Sequence, residues 1–289
     1  MPFKFPHGAT KVFNVLAPFV VEFIGTFFLV TAIGLNSLHP ADQGSLAPFG
    51  IGFTLVVVVF AGGHISAVTL AVWLSRRGKI SGVDAIIYAI VQVLAAFVAG
   101  LFYWFIKDNT FAVMPGPEGE GRALFMEAVW TFLLATVVLQ TATTETQAGN
   151  SFFGLSIGMT VVAGAITAGP ISGGVFNPAV GTGILTVNAL HTREAEDLKY
   201  LWIYWVGPLV GGLLAGITFW FTNRREFHDD PTVEVVDTHL FSADVRSIAD
   251  VSAQKREGGR IIKGMIKKEI THLGGHMSPD ETDPMINYH

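Results

Sequence analysis

Two carboxylates lie well inside long apolar stretches of this chain. They are among the few side chains there that could do chemistry. Glu22 begins the segment EFIGTFFLV and Glu127 begins EAVWTFLLA, 105 residues further on. A carboxylate at membrane depth is costly, so it is usually functional or paired. It could relay protons, bind an ion or accept hydrogen bonds from loop backbone. The symmetric placement of the two residues favours the third role, and we predict that both brace loops.

The segment SGGVFNPAV carries the other residues that could do chemistry. Asn177 is a good N-cap and Pro178 is favoured at the first helical position, so a capped helix start is the ordinary interpretation. Within a membrane, the same arrangement fixes the direction of an amide donor beside a positive helix end. The preceding glycines permit an extended backbone. We predict a single-file path formed by the carbonyls of Gly173, Gly174 and Val175 and then by the Asn177 amide.

The composition is that of a membrane body followed by a polar tail. Hydrophobic residues make up 51% of the 289 residues and charged residues only 14%, which is too apolar for an ordinary soluble domain. Of the 41 charged residues, 21 follow Asn223. We predict an N-terminal segment at residues 1–14, a membrane domain at 15–222 with repeats at 15–106 and 122–222, and a polar tail at 223–289.

Several functions are excluded by what the sequence lacks. The chain has no cysteine, which excludes disulfides, thiol catalysis and Cys-ligated metals. Two glycines lie between His272 and His276 and argue against a helix holding both on one face, so we predict no metal site. The net charge of -5 argues against nucleic-acid binding. Because no nucleophile, metal set or phosphate loop is visible, we expect neither an enzyme nor a bound cofactor.

Six stretches are long and apolar enough to span a membrane, which takes about 20 residues. Two further apolar pieces, near residues 67–75 and 177–188, are too short and are rich in Gly, Ala or Thr. Re-entrant half-helices fit these pieces, because irregular backbone at membrane depth is tolerated inside protein or beside a water-filled path. The sequence thus predicts an all-α membrane protein with spans near residues 15–36, 48–63, 83–106, 122–143, 152–169 and 200–222.

The chain contains an internal sequence repeat with two copies. Residues 63–66 (GHIS) match residues 169–172 (GPIS) at an offset of 106, whereas residues 67–68 (AV) match residues 179–180 (AV) at an offset of 112. The first copy therefore lacks a counterpart of GGVFNP. Since each copy has three spans, the second copy is inverted in the membrane. The two half-helices should meet at the midplane with their N-termini facing.

Basic residues predict the orientation of the helices. They precede the first span, lie between spans two and three, and follow span six. With six spans these positions share one side, and cytoplasmic loops carry an excess of Lys and Arg, so we expect both termini in the cytoplasm. The residues are Lys4, Lys11, Arg76, Arg77, Lys79, Arg224 and Arg225, against Lys107, Arg122, Arg193 and Lys199 in the opposite loops.

The motifs EFIGT, FNPA, VGPLVGGLLAG and AVTLA, together with the two-fold repeat, resemble the aquaporin, or major intrinsic protein, family. In that family two loops each carry Asn-Pro-Ala, each monomer holds its own pore and the proteins are tetramers. The resemblance implies a passive six-span channel for water or small neutral solutes. It assigns the second signature to Asn177, Pro178 and Ala179, and it matches Glu22 and Glu127 to the family's loop-bracing acids.

The first signature loop departs from this pattern. A usual copy would read GHIS, then about six residues ending in Asn-Pro, then AVTLA, whereas Ser66 here runs directly into Ala67, the one signature residue kept. Six extended residues reach ~20 Å at ~3.3 Å each, so the first half-helix should be truncated and the pore damaged or altered. A natural or splice variant, a deliberate deletion or a gap in the recorded sequence would each leave this pattern.

The histidine beside the short loop has two candidate roles. His64 could line the path or gate it by protonation. A packed neutral imidazole is the more common role for such a residue. We keep His64 as a candidate gate.

The resemblance also locates a selectivity filter, where the sequence departs from the family a second time. The second signature is usually followed by Arg, but Val180 stands there, and the other filter positions fall near Ile51 and Ala165. An apolar constriction is less selective for water and would admit ammonia, peroxide or small uncharged solutes. Gly181 replaces the Asp that glycerol-type members usually carry, which disfavours a glycerol facilitator.

Three functions stay open at this point. The first is a passive channel. The second is a secondary transporter, which inverted repeats also build but which needs asymmetric charges at the midplane. The third is a non-conducting structural member, which the short loop favours. As partners we expect water or a small neutral solute, membrane lipid and, from the resemblance, three further copies in a homotetramer. The plasma membrane is expected over an internal membrane.

Overall fold

The computed structural model of the chain describes residues 7–38, 46–61, 66–75 and 80–227. Contacts divide the chain into two units, Met1–His228 and Asp229–His289, and everything described lies in the first. The described residues form eight α-helices joined by turns and short 3-10 segments. These helices are α1 (His7–Ser37), α2 (Ala47–Phe60), α3 (Ser66–Leu74), α4 (Gly82–Lys107), α5 (Glu120–Ala142), α6 (Phe153–Ser172), α7 (Pro178–Thr192) and α8 (Leu201–Thr222).

Five of the described helical segments are long and apolar enough to cross a membrane, and they correspond to α1, α4, α5, α6 and α8. The remaining span predicted at 48–63 is the shorter helix α2, which has 14 residues. At 1.5 Å per residue, α2 is roughly 21 Å long, less than the ~30 Å hydrocarbon core. The two short helices predicted between spans correspond to α3, with 9 residues, and α7, with 15.

Packing follows the internal repeat. Helix α1 packs on α4 in the first repeat as α5 packs on α8 in the second, and α2 contacts α6 across the repeats. The half-helices exchange partners, because α7 packs on α4 and α3 packs on α8. Each half-helix is therefore held by a spanning helix of the other repeat.

Glycines permit the close helix crossings. A Cβ atom added at Gly52 of α2 would lie 2.7 Å from the carbonyl oxygen of Gly158 in α6, and one added at Gly158 would lie 2.5 Å from that of Gly52. On α8, a Cβ at Gly211 would lie 2.4 Å from the carbonyl oxygen of Ala128 in α5. Small residues at such positions let helix backbones approach within van der Waals contact, which is what stabilises helix association in lipid.

Candidate pore

A narrow cavity of about 90 Å³ lies beside the start of α7. At ~30 Å³ per molecule in the liquid, this volume suits a few waters or one small solute. Its walls come from α1, α2, α5, α6 and α7, from the α4–α5 connection and from the α6–α7 loop. The lining residues are Leu29, Ile33, Ser37, Ile51, Leu55, Phe111, Val113, Leu134, Val161, Ala165, Gly173, Gly174, Val175, Phe176, Asn177, Val180 and Ile184.

The loop between α6 and α7 is bound to Glu127, which is fully buried on α5. The carboxylate accepts hydrogen bonds from the backbone N–H of Val175 at 3.0 Å and of Phe176 at 2.6 Å, and from the Ser172 hydroxyl at 2.7 Å. The Tyr204 hydroxyl donates to the Ser172 carbonyl at 2.8 Å. Hydrogen bonds to a charged acceptor are about twice as strong as neutral ones, so Glu127 holds the loop firmly.

The loop backbone needs unusual torsion angles. Gly173 and Gly174 have φ of 90° and 65°, and Phe176 has φ of 52° without being glycine. Left-handed φ costs a non-glycine residue energy and persists where its surroundings fix it. The Phe176 ring supplies such a constraint, because it lies close to the backbone of Gly164 and to Trp130, with ring centroids 6.3 Å apart for the two aromatics.

Asn177 caps α7. Its Oδ1 atom accepts from the backbone N–H of Ala179 at 2.9 Å and of Val180 at 3.5 Å, while Pro178 occupies the first helical position. Since an amide is planar, the Nδ2 group points away from the first turn of the helix. The buried Asn177 side chain therefore lines the cavity, and its oxygen accepts hydrogen bonds from the first turn of α7.

The three residues that the sequence analysis assigns to a filter line the same cavity. Ile51 comes from α2, Ala165 from α6 and Val180 from the first turn of α7. Among the residues that the structure describes, the cavity wall includes no charged side chain, and Ser37 and Asn177 are its polar side chains. The cavity can hold a small uncharged molecule and offers no counter-ion for a charged one.

The acid of the first repeat accepts a hydrogen bond from a side-chain amide. Glu22 is fully buried, and the Nε2 atom of Gln92 on α4 donates a hydrogen bond to its Oε1 atom. Gln92 is buried, and its own Oε1 atom has no hydrogen-bond partner among the described residues. In the second repeat the donors come from Val175 and Phe176, which belong to the segment that the first repeat lacks. In the first repeat, a side-chain amide is thus one of the donors to the corresponding acid.

The structure says little about two predicted residues of the first loop. Ala67 lies in the first turn of α3. His64, the candidate gate, lies outside the described residues. Gln92 was not predicted from the sequence, because its role depends on contact with Glu22, 70 residues away along the chain.

The connection between α4 and α5 was also missed. Phe111 and Val113 from this segment line the cavity. The Gly116 N–H donates to the Ile171 carbonyl at 2.8 Å, and the Thr110 hydroxyl donates to Asn188 Oδ1 at 2.8 Å. The segment has no helical or strand periodicity, so its sequence contains no signal for this position over α6 and α7.

The described residues form a bundle of apolar helices with two short helices between its spans. A narrow uncharged cavity lies at the start of one short helix. Together these features define a helical membrane channel. The sequence model of the family described as Major intrinsic protein matches residues 57–219. This match covers more than half of the chain, and the chain belongs to the major intrinsic protein family.

Relatives of the chain are named as channels and facilitators. Aquaporin TIP2-3 of Arabidopsis thaliana is 34% identical over 225 residues, which cover 71% of this chain and 86% of the relative. Glycerol uptake facilitator protein-like 6 of Lactiplantibacillus plantarum is 34% identical over 219 residues, which cover 68% of this chain and 94% of the relative. The solved aquaglyceroporin of Plasmodium falciparum has a TM-score of 0.58 at 21% identity, and the match covers 70% of this chain and 95% of that one.

These comparisons confirm three expectations from the sequence: the family, the all-α membrane channel fold, and a passive channel for water or small solutes. The chain is a multi-pass integral membrane protein and a channel rather than an enzyme.

Proposed function

We propose that water or a small uncharged solute passes through the cavity beside α7, so that each monomer has its own pore. The observation that carries the proposal is the shared lining of one cavity. Asn177 and the loop at 173–175 form one part of that lining, and Ile51, Ala165 and Val180 form another. The signature and filter residues that the sequence indicates separately thus meet around a single space.

Each group has a role in this proposal. The carbonyls of Gly173, Gly174 and Val175 accept hydrogen bonds from the solute, and the Asn177 amide donates one. The positive end of the α7 dipole repels cations and protons at the same point. Glu127 braces the loop that presents these groups. Ala179 completes the signature in the first turn of α7.

The solute class follows from the uncharged wall. Val180 supplies an apolar side chain where a cationic filter would hold Arg, so discrimination rests on size and on the cost of burying charge. Ammonia, peroxide and other small uncharged molecules fit this lining beside water. Charged solutes are excluded because no described wall residue compensates them.

We propose further that the short first loop reduces or alters conduction. The first repeat keeps Ala67 but has no counterpart of Asn177, and Glu22 accepts a hydrogen bond from Gln92. One half of the path therefore lacks the amide donor and the carbonyls that the other half has. A non-conducting structural member of the family is the second candidate, and this six-residue shortfall is the observation that favours it.

The assembly and its location belong to the same proposal. The family resemblance supports a homotetramer surrounded by membrane lipid, with one pore in each subunit. The distribution of Lys and Arg supports cytoplasmic termini, and we propose the plasma membrane as the location.

The test is stopped-flow osmotic shrinkage of proteoliposomes that contain this chain or a version with GGVFNP inserted between Ser66 and Ala67. A third version with GGVFAA inserted at the same place controls for loop length. We expect low permeability from this chain and from the control, and higher permeability with a low activation barrier from the GGVFNP version. Equal water permeability of all three versions would show that the shortfall does not limit conduction.

A further inference from the structure

A second space, which we call the lateral groove, lies outside the pore between α3, α4 and α8. Its volume is about 510 Å³. Pro178 and Ala179, at the start of α7, line its inner end. The groove therefore reaches the first turn of the half-helix from the side away from the pore cavity.

The lateral groove runs along two spanning helices. On α4 its wall includes Val83, Ile86 and Val93, and on α8 it includes Trp205 and Leu209. These residues follow spacings of three, four and seven, so each set forms one stripe along its helix. The ten residue steps from Val83 to Val93 correspond to ~15 Å of helix.

One end of the groove is at the membrane interface and the other at mid-depth. The outer end has Ser81, which caps α4 and whose hydroxyl donates to Asp84 at 2.6 Å. The close contact of Gly183 with Ala96 aligns α7 with α4, and the contact of Gly100 with Val187 continues the same register. Counting back five residues from Gly183 places Pro178 level with the middle of α4. The groove thus spans ~15 Å, half of a ~30 Å hydrocarbon core.

The groove is continuous with the lipid-facing surface. Ile86 is 64% exposed and Trp205 is 39% exposed, although both belong to membrane-spanning helices. Among the described residues that line the groove, none is charged. An unfilled space of this size would deprive its walls of dispersion contacts, so hydrocarbon from the adjoining leaflet is its natural occupant.

We propose that the lateral groove binds one acyl chain of a membrane phospholipid, with the headgroup near Ser81 and the chain end against Pro178. The apolar lining, the one-leaflet length and the opening toward the bilayer all match a single hydrocarbon chain. The bound chain packs against the start of α7 opposite the pore cavity. This site depends on the membrane fold and not on conduction, so its failure and that of the proposed pore are separate results.

The experiment reconstitutes the full chain with phosphatidylcholine that carries a photoactivatable diazirine in one acyl chain. After illumination, mass spectrometry of the digested protein locates the labelled residues. We expect labelling of Ala89 and Trp205 in the groove to exceed that of Ile90, which is 55% exposed on the same helix but does not line the groove.

The variant Ala89→Trp fills the groove and should reduce labelling of Trp205 to the level seen at Ile90. The matched control Ile90→Trp adds the same ring outside the groove and should leave labelling of Trp205 unchanged. Should size-exclusion chromatography show that Ala89→Trp misfolds, Ala85→Leu makes the same test with a smaller side chain.

Equal labelling of groove and control residues would mean that only bulk lipid is present. Labelling of Ile90 without labelling of Ala89 or Trp205 would mean that a second copy, and not lipid, covers the groove. Either result overturns the proposal.

Discussion

Glu127 determines the course of the loop that leads into α7. The backbone N–H groups of Val175 and Phe176 are buried, and without water they need acceptors within the protein. The carboxylate supplies both, at 3.0 and 2.6 Å. It also offsets the left-handed φ of 52° at Phe176, which a non-glycine residue adopts at some cost. The loop that lines the cavity is therefore fixed from behind by one side chain.

We predict that Glu127→Gln lowers both stability and permeability. The amide replaces one acceptor oxygen with a donor that faces a backbone N–H, and an unsatisfied buried group costs about 1–3 kcal/mol. Thermal unfolding in detergent measures the first effect and proteoliposome shrinkage the second. Glu120→Gln, exposed in the first turn of the same helix, is the control and should cost less than about 1 kcal/mol. Equal effects of the two substitutions would contradict a bracing role.

A second prediction tests the position of the pore. In the version with GGVFNP inserted, Ala165→Trp should reduce osmotic permeability to the level of protein-free liposomes, because an indole would fill the cavity of about 90 Å³. Ile166→Trp is the matched control, since the neighbouring Ile166 is 53% exposed away from the cavity. It should leave permeability unchanged. Unchanged flux through Ala165→Trp would mean that solutes take another route.

At the scale of elements, the two half-helices differ in length and in the contacts described for them. Helix α7 has an Asn–Pro start and a loop bound to Glu127. Helix α3 is shorter, packs on α8, and has the Glu22–Gln92 pair in its own repeat. The side-chain amide of Gln92 is thus one of the groups that hold the acid of the first repeat.

We predict that Gln92 and the first loop are coupled through Glu22. Gln92→Leu removes a donor to a buried carboxylate and should destabilise this chain by about 1.5–3 kcal/mol. In the version with GGVFNP inserted, we expect added backbone N–H groups to donate to Glu22 as those of Val175 and Phe176 donate to Glu127, so the same substitution should cost less. A double-mutant cycle of thermal unfolding gives the difference. Gln147→Leu, at an exposed turn, serves as the control and should have little effect in either version. A coupling of zero would show that the loop and Gln92 act independently.

The crossing of α2 and α6 supports a further prediction. Gly52→Ala should destabilise the protein by about 1–3 kcal/mol, because the new Cβ would lie 2.7 Å from the carbonyl oxygen of Gly158 and force the helices apart. Gly121→Ala is the control, since no atom lies within 4 Å of a Cβ there, and it should be neutral or slightly stabilising. Thermal unfolding in one detergent compares the two variants. If Gly52→Ala left the thermal unfolding temperature unchanged, α2 and α6 would cross less closely than we describe.

The repeat made much of this architecture predictable from sequence. Periodic apolar stretches indicate the helices, and the change in offset indicates where the first repeat is short. The Asn–Pro pair likewise indicates where α7 begins. The end of α2 at Phe60 was not predictable, because the apolar stretch continues beyond it. Gln92 and the α4–α5 segment were missed because their roles depend on contacts between residues distant in sequence, which no local pattern records.

At the scale of the whole molecule, contacts assign the connecting segments to two ends of the bundle. The α4–α5 segment meets the end of α6 through Gly116 and Ile171, 2.8 Å apart, and the end of α7 through Thr110. The α5–α6 segment meets the residues after α8, where the Glu145 N–H donates to Glu226 at 2.9 Å. Segments that alternate along the chain thus lie together at each end, as expected of helices that cross a membrane in turn.

This arrangement turns the predicted orientation into a labelling pattern. The chain has no cysteine, so Glu118→Cys, Glu194→Cys and Gln147→Cys each introduce a single thiol at an exposed position. If the termini are cytoplasmic, a membrane-impermeant maleimide applied to intact cells should label the first two variants and should label Gln147→Cys only after permeabilisation. The opposite labelling pattern would mean that the protein has the opposite orientation in the membrane. Labelling of Glu118→Cys and Gln147→Cys from the same side would contradict α5 as a spanning helix, and with it the inverted repeat on which the proposed pore depends.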